Sequence, residues 1–268
     1  MALGKIALAA AAAVAVSPLV VLARLALLPP GPLEVLSTEV STYGLGEVFK
    51  LGMAQALASS LAVTALTVAI ALALSLPTAY AVTRLGIGFA ALFATALAVA
   101  FVRTIPPSSY LVSAYVSLYD LGLLDTHIGL ALAYQIYAFP LAMWLLLSFA
   151  ADLDPDVDSA ARIDGASPIK RFFHIFLPAV SPGVAAAAVL TALAAWGEYL
   201  YASVLMSSKN QTAAMLLGSL LASEFRSEWS VIAAAALLTA LPPLLFVTVA
   251  VKNMQKLSFG TAGGLWKK

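Results

Sequence analysis

The chain has 268 residues, of which 62% are hydrophobic and 10% are charged, with a mean hydropathy of +0.99. Soluble domains carry about 25% charged residues, so this composition excludes a soluble fold and predicts a polytopic membrane protein. The net charge of +1 argues against a nucleic-acid partner. The absence of cysteine excludes disulfides, thiol chemistry and cysteine-based metal sites.

Six apolar stretches are long enough to cross a bilayer, which takes about 20 residues. The first is interpreted as a retained span and not as a signal peptide, because it is long and is preceded by the lone Lys5. The stretches cover residues 6–28, 54–82, 87–105, 127–149, 180–206 and 230–251. The sequence therefore predicts an all-α membrane protein with six transmembrane helices.

The first transmembrane helix is expected within residues 1–28, an external loop at 29–53 and a core domain at 54–268. Within the core, the segments 106–126 and 207–228 are expected to be external and to hold one short helix each.

Lys and Arg favour the cytoplasmic side of a membrane, so their distribution predicts the orientation. With the N-terminus inside, the inside holds nine of the fourteen basic residues: Lys5, Arg84, Arg162, Lys170, Arg171, Lys252, Lys256, Lys267 and Lys268. The outside holds Arg24, Lys50, Arg103, Lys209 and Arg226. This orientation puts both termini, the loop 151–179 and the tail 252–268 in the cytoplasm.

The loop 151–179 reads as two short helices joined by a sharp corner. Asp154 followed by Pro155 is an N-cap followed by a first helical residue, and Ser167-Pro168 repeats that signal. Gly165 lies between them, where the chain needs the left-handed conformation that ends a helix.

The second of these helices is predicted to carry one apolar face. Ile169, Phe172, Phe173 and Phe176 have the spacing i, i+3, i+4 and i+7. Such a face needs a partner to cover it. One alternative is a helix-turn-helix DNA-binding motif, and the small number of basic residues argues against it. The other is an ordinary solvated loop, and the aromatic stripe argues against it.

The same loop resembles the "EAA" loop in permease subunits of binding-protein-dependent ABC importers, most of all the maltose-type sugar importers. That pattern is Glu-Ala-Ala, three residues, Gly, nine residues, Ile, one residue and Leu-Pro. Here the positions are taken by Ser159, Ala160, Ala161, Gly165, Ile175, Leu177 and Pro178. Ser159 stands where the family has Glu, and Asp158 is the neighbouring carboxylate that could serve in its place.

The resemblance implies the type I importer permease fold in the cell membrane of a prokaryote, with a cytoplasmic two-helix coupling loop at residues 155–178. It implies four partner subunits besides membrane lipid: a second homologous permease and two cytosolic ATPases, together with an external binding protein. The expected ATPase-coupling residues are Asp158, Ser159, Ala160, Ala161, Gly165, Phe172, Phe173, Ile175, Leu177 and Pro178. Because the chain has no GxxxxGK[ST] phosphate loop, ATP and Mg²⁺ would be bound by the partner ATPase, and this subunit would not be an enzyme.

Glu198 is the ionisable residue that stands out within the predicted spans. A charge near the middle of a membrane is costly, so it is expected to face a cavity or a partner. Trp196, Glu198, Tyr199 and Gln135 are candidate substrate-pathway residues, since sugars bind to aromatic faces and hydrogen-bonding groups. A structural role, at the aromatic belt for Glu198 and in interhelical hydrogen bonding for Gln135, is the alternative. No metal site is expected, because His127 and His174 lack partners at ligand spacing.

The sequence thus predicts a permease subunit of an ATP-driven importer of mono- or oligosaccharides. A non-sugar solute such as glycerol phosphate or a polyol is the alternative. A secondary transporter would need ionisable relays in several spans, and a membrane-embedded enzyme would need clustered His, Asp or Glu, so both are disfavoured.

Overall fold

The computed structural model describes residues 14, 16–31, 38–85, 88–222 and 228–265, and all regular elements in these ranges are helical. The α-helices are α1 (Val16–Ala26), α2 (Tyr43–Lys50), α3 (Met53–Arg84), α4 (Gly88–Thr104), α5 (Leu111–Asp120), α6 (His127–Ala133), α7 (Gln135–Ala151), α8 (Pro155–Ile163), α9 (Pro168–Arg171), α10 (Leu177–Ala179), α11 (Ser181–Trp196), α12 (Leu200–Leu205), α13 (Ala213–Ala222) and α14 (Trp229–Leu265). A 3₁₀ turn at Pro107–Tyr110 precedes α5, and a π-helical turn at Phe172–Phe176 joins α9 to α10.

Two helices in the described ranges are long and apolar enough to cross a membrane, namely α3 and the part Trp229–Thr248 of α14. Two more candidate spans arise if each bent helix pair counts as one: α6 with α7, bent by 58°, and Pro168–Ala179 with α11, bent by 72°. The count of six spans stays a prediction. Residues 6–13 and 15 of the first predicted span lie outside the described residues.

The fourth and fifth predicted spans are broken, which the hydropathy pattern does not reveal. In the fourth, α6 ends at Ala133 and α7 begins at Gln135, with Tyr134 at the break. In the fifth, α11 ends at Trp196 and α12 begins at Leu200. The residues flanking both breaks are mostly apolar, so a scale that averages hydrophobicity over a window does not detect the breaks, although Gln135 and Glu198 lie at them.

The segments between the predicted spans contain short helices. The short helices expected in 106–126 and 207–228 are present as α5 and α13. The predicted external loop 29–53 also contains α2. Residues of the predicted tail, from 252 to 265, continue α14 as helix.

The chain divides into two compact units, each with its own core. One unit comprises residues 1–60 and 210–242, and its buried residues include Val48, Met53 and Leu216. The other comprises residues 61–209 and 243–268. In that unit α7 packs on α11 through alanines that are completely buried, among them Ala138, Ala142 and Ala187. Small side chains let helix backbones approach closely, which drives helix association where lipid offers no hydrophobic drive.

Gly44 of α2 occupies a position where a side chain does not fit. A Cβ atom at Gly44 would lie 2.4 Å from the backbone oxygen of Ser230, whereas one at Gly46 would meet nothing within 4 Å. We expect Gly44→Ala to destabilise the protein by about 1–3 kcal/mol through overpacking. Gly46→Ala is the matched control and should stabilise α2 by up to about 1 kcal/mol. Thermal unfolding of the two purified variants in detergent measures the difference, and equal melting temperatures would contradict the packing argument.

Candidate functional site

The corner between α8 and α9 is built by local hydrogen bonds at the predicted positions. The Asp154 carboxylate accepts a hydrogen bond from the Asp156 N–H at 2.9 Å and caps α8, and Pro155 is the first residue of that helix. Gly165 has φ +78°, the left-handed conformation. The Ser167 hydroxyl accepts a hydrogen bond from the Lys170 N–H at 3.3 Å and caps α9. The two-helix corner is therefore confirmed.

A buried ion pair joins the two helices of the corner. The Arg171 guanidinium of α9 donates a hydrogen bond to the Asp158 carboxylate of α8. Both residues are more than nine-tenths buried. The expectation that Asp158 is available to the ATPase in place of the missing Glu is corrected by this geometry, because its carboxylate is covered and already paired.

The apolar face predicted for residues 169–176 is partly buried against α3 and partly exposed. Phe172 and Phe176 pack against the ring of Tyr80 in α3, with centroid distances of 5.4 and 5.0 Å. Ile169 and Phe173 remain 73% and 56% exposed. A π-helical turn inserts an extra residue and rotates the residues after it, so the α-helical spacing does not hold across Phe172–Phe176. The phenylalanine rings contact one another, with centroid distances of 4.9 Å for Phe172–Phe173 and 5.9 Å for Phe172–Phe176. The predicted aromatic face is therefore present, but its Phe172 and Phe176 part is covered by the chain itself.

Arg84, at the end of α3, fixes the start of the loop. Its Nη2 atom donates hydrogen bonds to the backbone oxygens of Ala150 at 2.9 Å and Leu153 at 2.7 Å. These carbonyls belong to the C-terminal end of α7 and the residues after it, where helical backbone acceptors have no partner of their own. The corner is thus anchored to both α3 and α7.

The exposed residues of the corner include large apolar side chains as well as charged ones such as Asp156, Arg162 and Lys170. We define the coupling surface as four side chains that are 56–86% exposed: Val157, Ile163, Ile169 and Phe173. Val157 and Ile163 are not among the predicted coupling residues, although their signal is present as two large apolar residues in the otherwise polar helix α8.

The remaining predicted coupling residues differ in their exposure. Ser159, Ala160, Gly165 and Pro178 are exposed, and Ala161, Ile175 and Leu177 are half-buried. The Ser159 hydroxyl donates a hydrogen bond to the Pro155 backbone oxygen at 3.0 Å, within α8.

Glu198 lies at the break of the fifth predicted span and caps the helix after the break. Its carboxylate accepts hydrogen bonds from the Tyr201 N–H at 3.0–3.1 Å and from the Ala202 N–H at 3.3 Å, at the start of α12. The Tyr134 hydroxyl, at the break of the fourth span, donates a hydrogen bond to the Glu198 backbone oxygen at 3.5 Å. The two breaks therefore meet.

The other three candidate pathway residues differ in their contacts and in their exposure. Gln135 donates hydrogen bonds to the backbone oxygens of Thr67 at 3.2 Å and Ala131 at 2.9 Å. Trp196 is buried against Phe246, with ring centroids 5.7 Å apart, whereas Tyr199 is 46% exposed. The bond of Gln135 to Thr67 agrees with the alternative of interhelical hydrogen bonding, and Glu198 binds backbone N–H groups, a structural contact that the sequence did not predict.

Two known proteins that are similar to this chain are both named as permease proteins of transport systems. The chain is 34% identical over 198 residues to the trehalose transport system permease protein SugB of Mycobacterium tuberculosis, covering 72% of this chain and 71% of that protein. It is 30% identical over 207 residues to the sulfoquinovosyl glycerol transport system permease protein SmoH of Agrobacterium fabrum, covering 77% and 71%.

The fold also has a counterpart among solved structures. A bacterial ABC transporter involved in the import of the acidic polysaccharide alginate superposes with a TM-score of 0.74, covering 93% of this chain and 94% of that chain at 20% identity. At this identity the likeness establishes the fold and nothing more. Residues 51–257 match the family described as binding-protein-dependent transport system inner membrane component. This chain is a helical membrane protein that belongs to that family.

Proposed function

We propose that this chain is the membrane-spanning permease subunit of an ATP-driven sugar importer, and that it forms the translocation path together with a second, homologous permease subunit. Membership of the transport family supports this proposal. The similarity to SugB, named as a trehalose transport permease, supports a sugar as the solute. A polyol or a glycerol phosphate is the alternative, and SmoH, named for sulfoquinovosyl glycerol, is a relative whose solute contains a glycerol unit.

The observation that carries the proposal is the coupling surface on a firmly held corner. Large apolar side chains exposed together on a segment outside the membrane need a protein partner. A cytosolic ATPase dimer, which binds ATP and Mg²⁺, is the partner that the family membership supports. Its closure on ATP would push this corner, and the motion would reach the spans through Tyr80 and Arg84 of α3.

The proposal includes six spans with both termini in the cytoplasm, and a binding protein that delivers the solute from outside. The excess of Lys and Arg in the loops assigned to the inside supports this orientation. The subunit itself performs no chemistry. It supplies the path and transmits the movement of the ATPase.

The first prediction of this proposal concerns the coupling surface. Burying a large apolar side chain contributes about 1.5–3 kcal/mol, so losing Ile169 and Phe173 should weaken ATPase binding at least tenfold. We expect the double variant Ile169→Ser, Phe173→Ser to insert into the membrane at normal yield, but to lose ATPase in co-purification from detergent. The dissociation constant for the ATPase measures the effect.

The matched control is Val112→Ser, Tyr119→Ser on α5. These side chains are 75% and 68% exposed, on a segment predicted to lie outside the cell. This control should leave ATPase binding unchanged. Full ATPase binding by the Ile169, Phe173 variant would remove the basis of the proposed coupling role.

The second prediction concerns the ion pair that holds the corner. Arg171→Met would leave the Asp158 carboxylate buried without its partner, which costs about 3–5 kcal/mol. We expect a clearly lower melting temperature and a loss of ATP-dependent uptake. Arg162→Met, which changes an exposed arginine of α8, is the control and should alter stability by no more than about 0.5 kcal/mol. Identical melting curves for the two variants would show that the pair does not hold the corner.

A further inference from the structure

An open cavity of about 360 Å³ lies between α5 on one side and α6, α7 and α12 on the other. Small-molecule sites typically measure about 300–1,000 Å³, so its size suits a mono- or disaccharide. In the proposed orientation α5 belongs to an external segment, so the cavity is on the side from which a binding protein would deliver the solute. The lining residues include Tyr110, Ser113, Ser117, Leu132, Ile136 and Tyr201.

The wall formed by α5 presents two serine hydroxyls to the cavity. Tyr110, Ser113 and Ser117 have helical spacing and share one face. Within the described structure, neither serine hydroxyl makes a hydrogen bond to protein, whereas those of Ser148 and Ser203 donate to backbone oxygens of their own helices. Side chains four residues apart on a helix are about 5–6 Å apart, so both hydroxyls can reach one sugar ring.

The opposite wall is held in place at both ends of α12. At its start, the Glu198 carboxylate accepts from the Tyr201 and Ala202 N–H groups. At its end, the Asp125 N–H donates to the Leu205 backbone oxygen at 3.0 Å. Asp125 also accepts from the N–H and hydroxyl of Ser207, at 2.8 and 2.7 Å.

The backbone conformation of Asp125 also shows that the C-terminal end of α12 is held in a defined geometry. Asp125 has φ +58°, a left-handed conformation that is unusual for a residue other than glycine. The wall that carries Tyr201 is therefore preformed, which lowers the ordering cost of binding a ligand.

The chemistry of the lining selects the class of ligand. Tyr, Leu and Ile side chains offer apolar surface to the C–H faces of a sugar, and the serine and tyrosine hydroxyls can bond to its hydroxyl groups. No lining side chain in the described structure is charged at neutral pH, so a phosphate, sulfonate or carboxylate would lose its hydration without gaining a cation. A lipid acyl chain would leave the hydroxyls unpaired.

We propose that this cavity is a binding site for a neutral saccharide, with Ser113 and Ser117 as its hydrogen-bonding residues. This inference rests on the proposed importer function and narrows its solute to an uncharged one. Glu198 acts as a positioning residue, because it fixes the helix that carries Tyr201 and does not itself line the cavity.

The test uses the complete transporter, with its partner permease, ATPases and binding protein, reconstituted in proteoliposomes. Trehalose and sn-glycerol 3-phosphate are the radiolabelled probes, and their uptake is measured together with ATP hydrolysis. We expect uptake of trehalose and none of sn-glycerol 3-phosphate. In the double variant Ser113→Ala, Ser117→Ala, loss of two hydrogen bonds should lower the trehalose transported per ATP about tenfold. Ala114→Phe, which fills the cavity, should do the same.

Ser148→Ala is the matched control, since its hydroxyl bonds to Trp144 within α7, and it should keep the wild-type ratio. Trehalose uptake with an unchanged ratio in both cavity variants would overturn the inference and leave the proposed function intact. Uptake of sn-glycerol 3-phosphate alone would overturn the neutral-saccharide assignment and favour the alternative solute. Uptake of neither probe would count against the proposed sugar function itself.

Discussion

The need to satisfy backbone hydrogen-bonding groups at every helix end shapes this protein. Inside a bilayer, each unpaired N–H or C=O costs several kcal/mol, so a broken span persists only if other groups replace the missing helical bonds. At the break of the fifth span, Glu198 supplies acceptors for the first N–H groups of α12, and Tyr134 donates its hydroxyl to the Glu198 backbone oxygen. At the break of the fourth span, the Gln135 side-chain amide donates to the Ala131 backbone oxygen. Side chains at the breaks thus replace part of the missing helical hydrogen bonding.

The same requirement uses several polar groups of the coupling corner within the chain. Asp154 and Ser167 cap helices, Asp158 pairs with Arg171, and Arg84 binds the carbonyls at the end of α7. The coupling surface is apolar, and charged residues such as Arg162 and Lys170 are exposed on the same two helices. A partner would therefore bury apolar area on this corner without pairing with the Asp158 carboxylate. That outcome fits a chain in which Ser159 replaces the acidic residue of the family pattern.

How much of this structure the sequence could predict depended on how local each interaction is. The caps at Asp154 and Ser167 and the left-handed Gly165 involve neighbours in sequence, and they were predicted correctly. The contact of Tyr80 with Phe172 joins residues distant in sequence, and the π-helical turn at Phe172–Phe176 has no signature in the spacing of apolar residues. The breaks in the fourth and fifth spans were missed for a related reason. The residues around the breaks are mostly apolar, and Tyr134 and Glu198, which meet there, are far apart in sequence.

Glu198 shows why an ionisable residue within a span need not contact the solute. The sequence marks it as unusual, but it does not determine which backbone groups the carboxylate meets. Its two carboxylate oxygens already accept bonds from two N–H groups, and a sugar hydroxyl would have to compete with these charge-assisted bonds. Moving the carboxylate away would leave the start of α12 unsatisfied. A charge held at a helix end in this way strengthens the scaffold, while the neighbouring cavity keeps a lining without charge. Glu198 and the cavity lining therefore have separate tasks: the carboxylate holds the start of α12, and the side chain of Tyr201 three residues later faces the cavity.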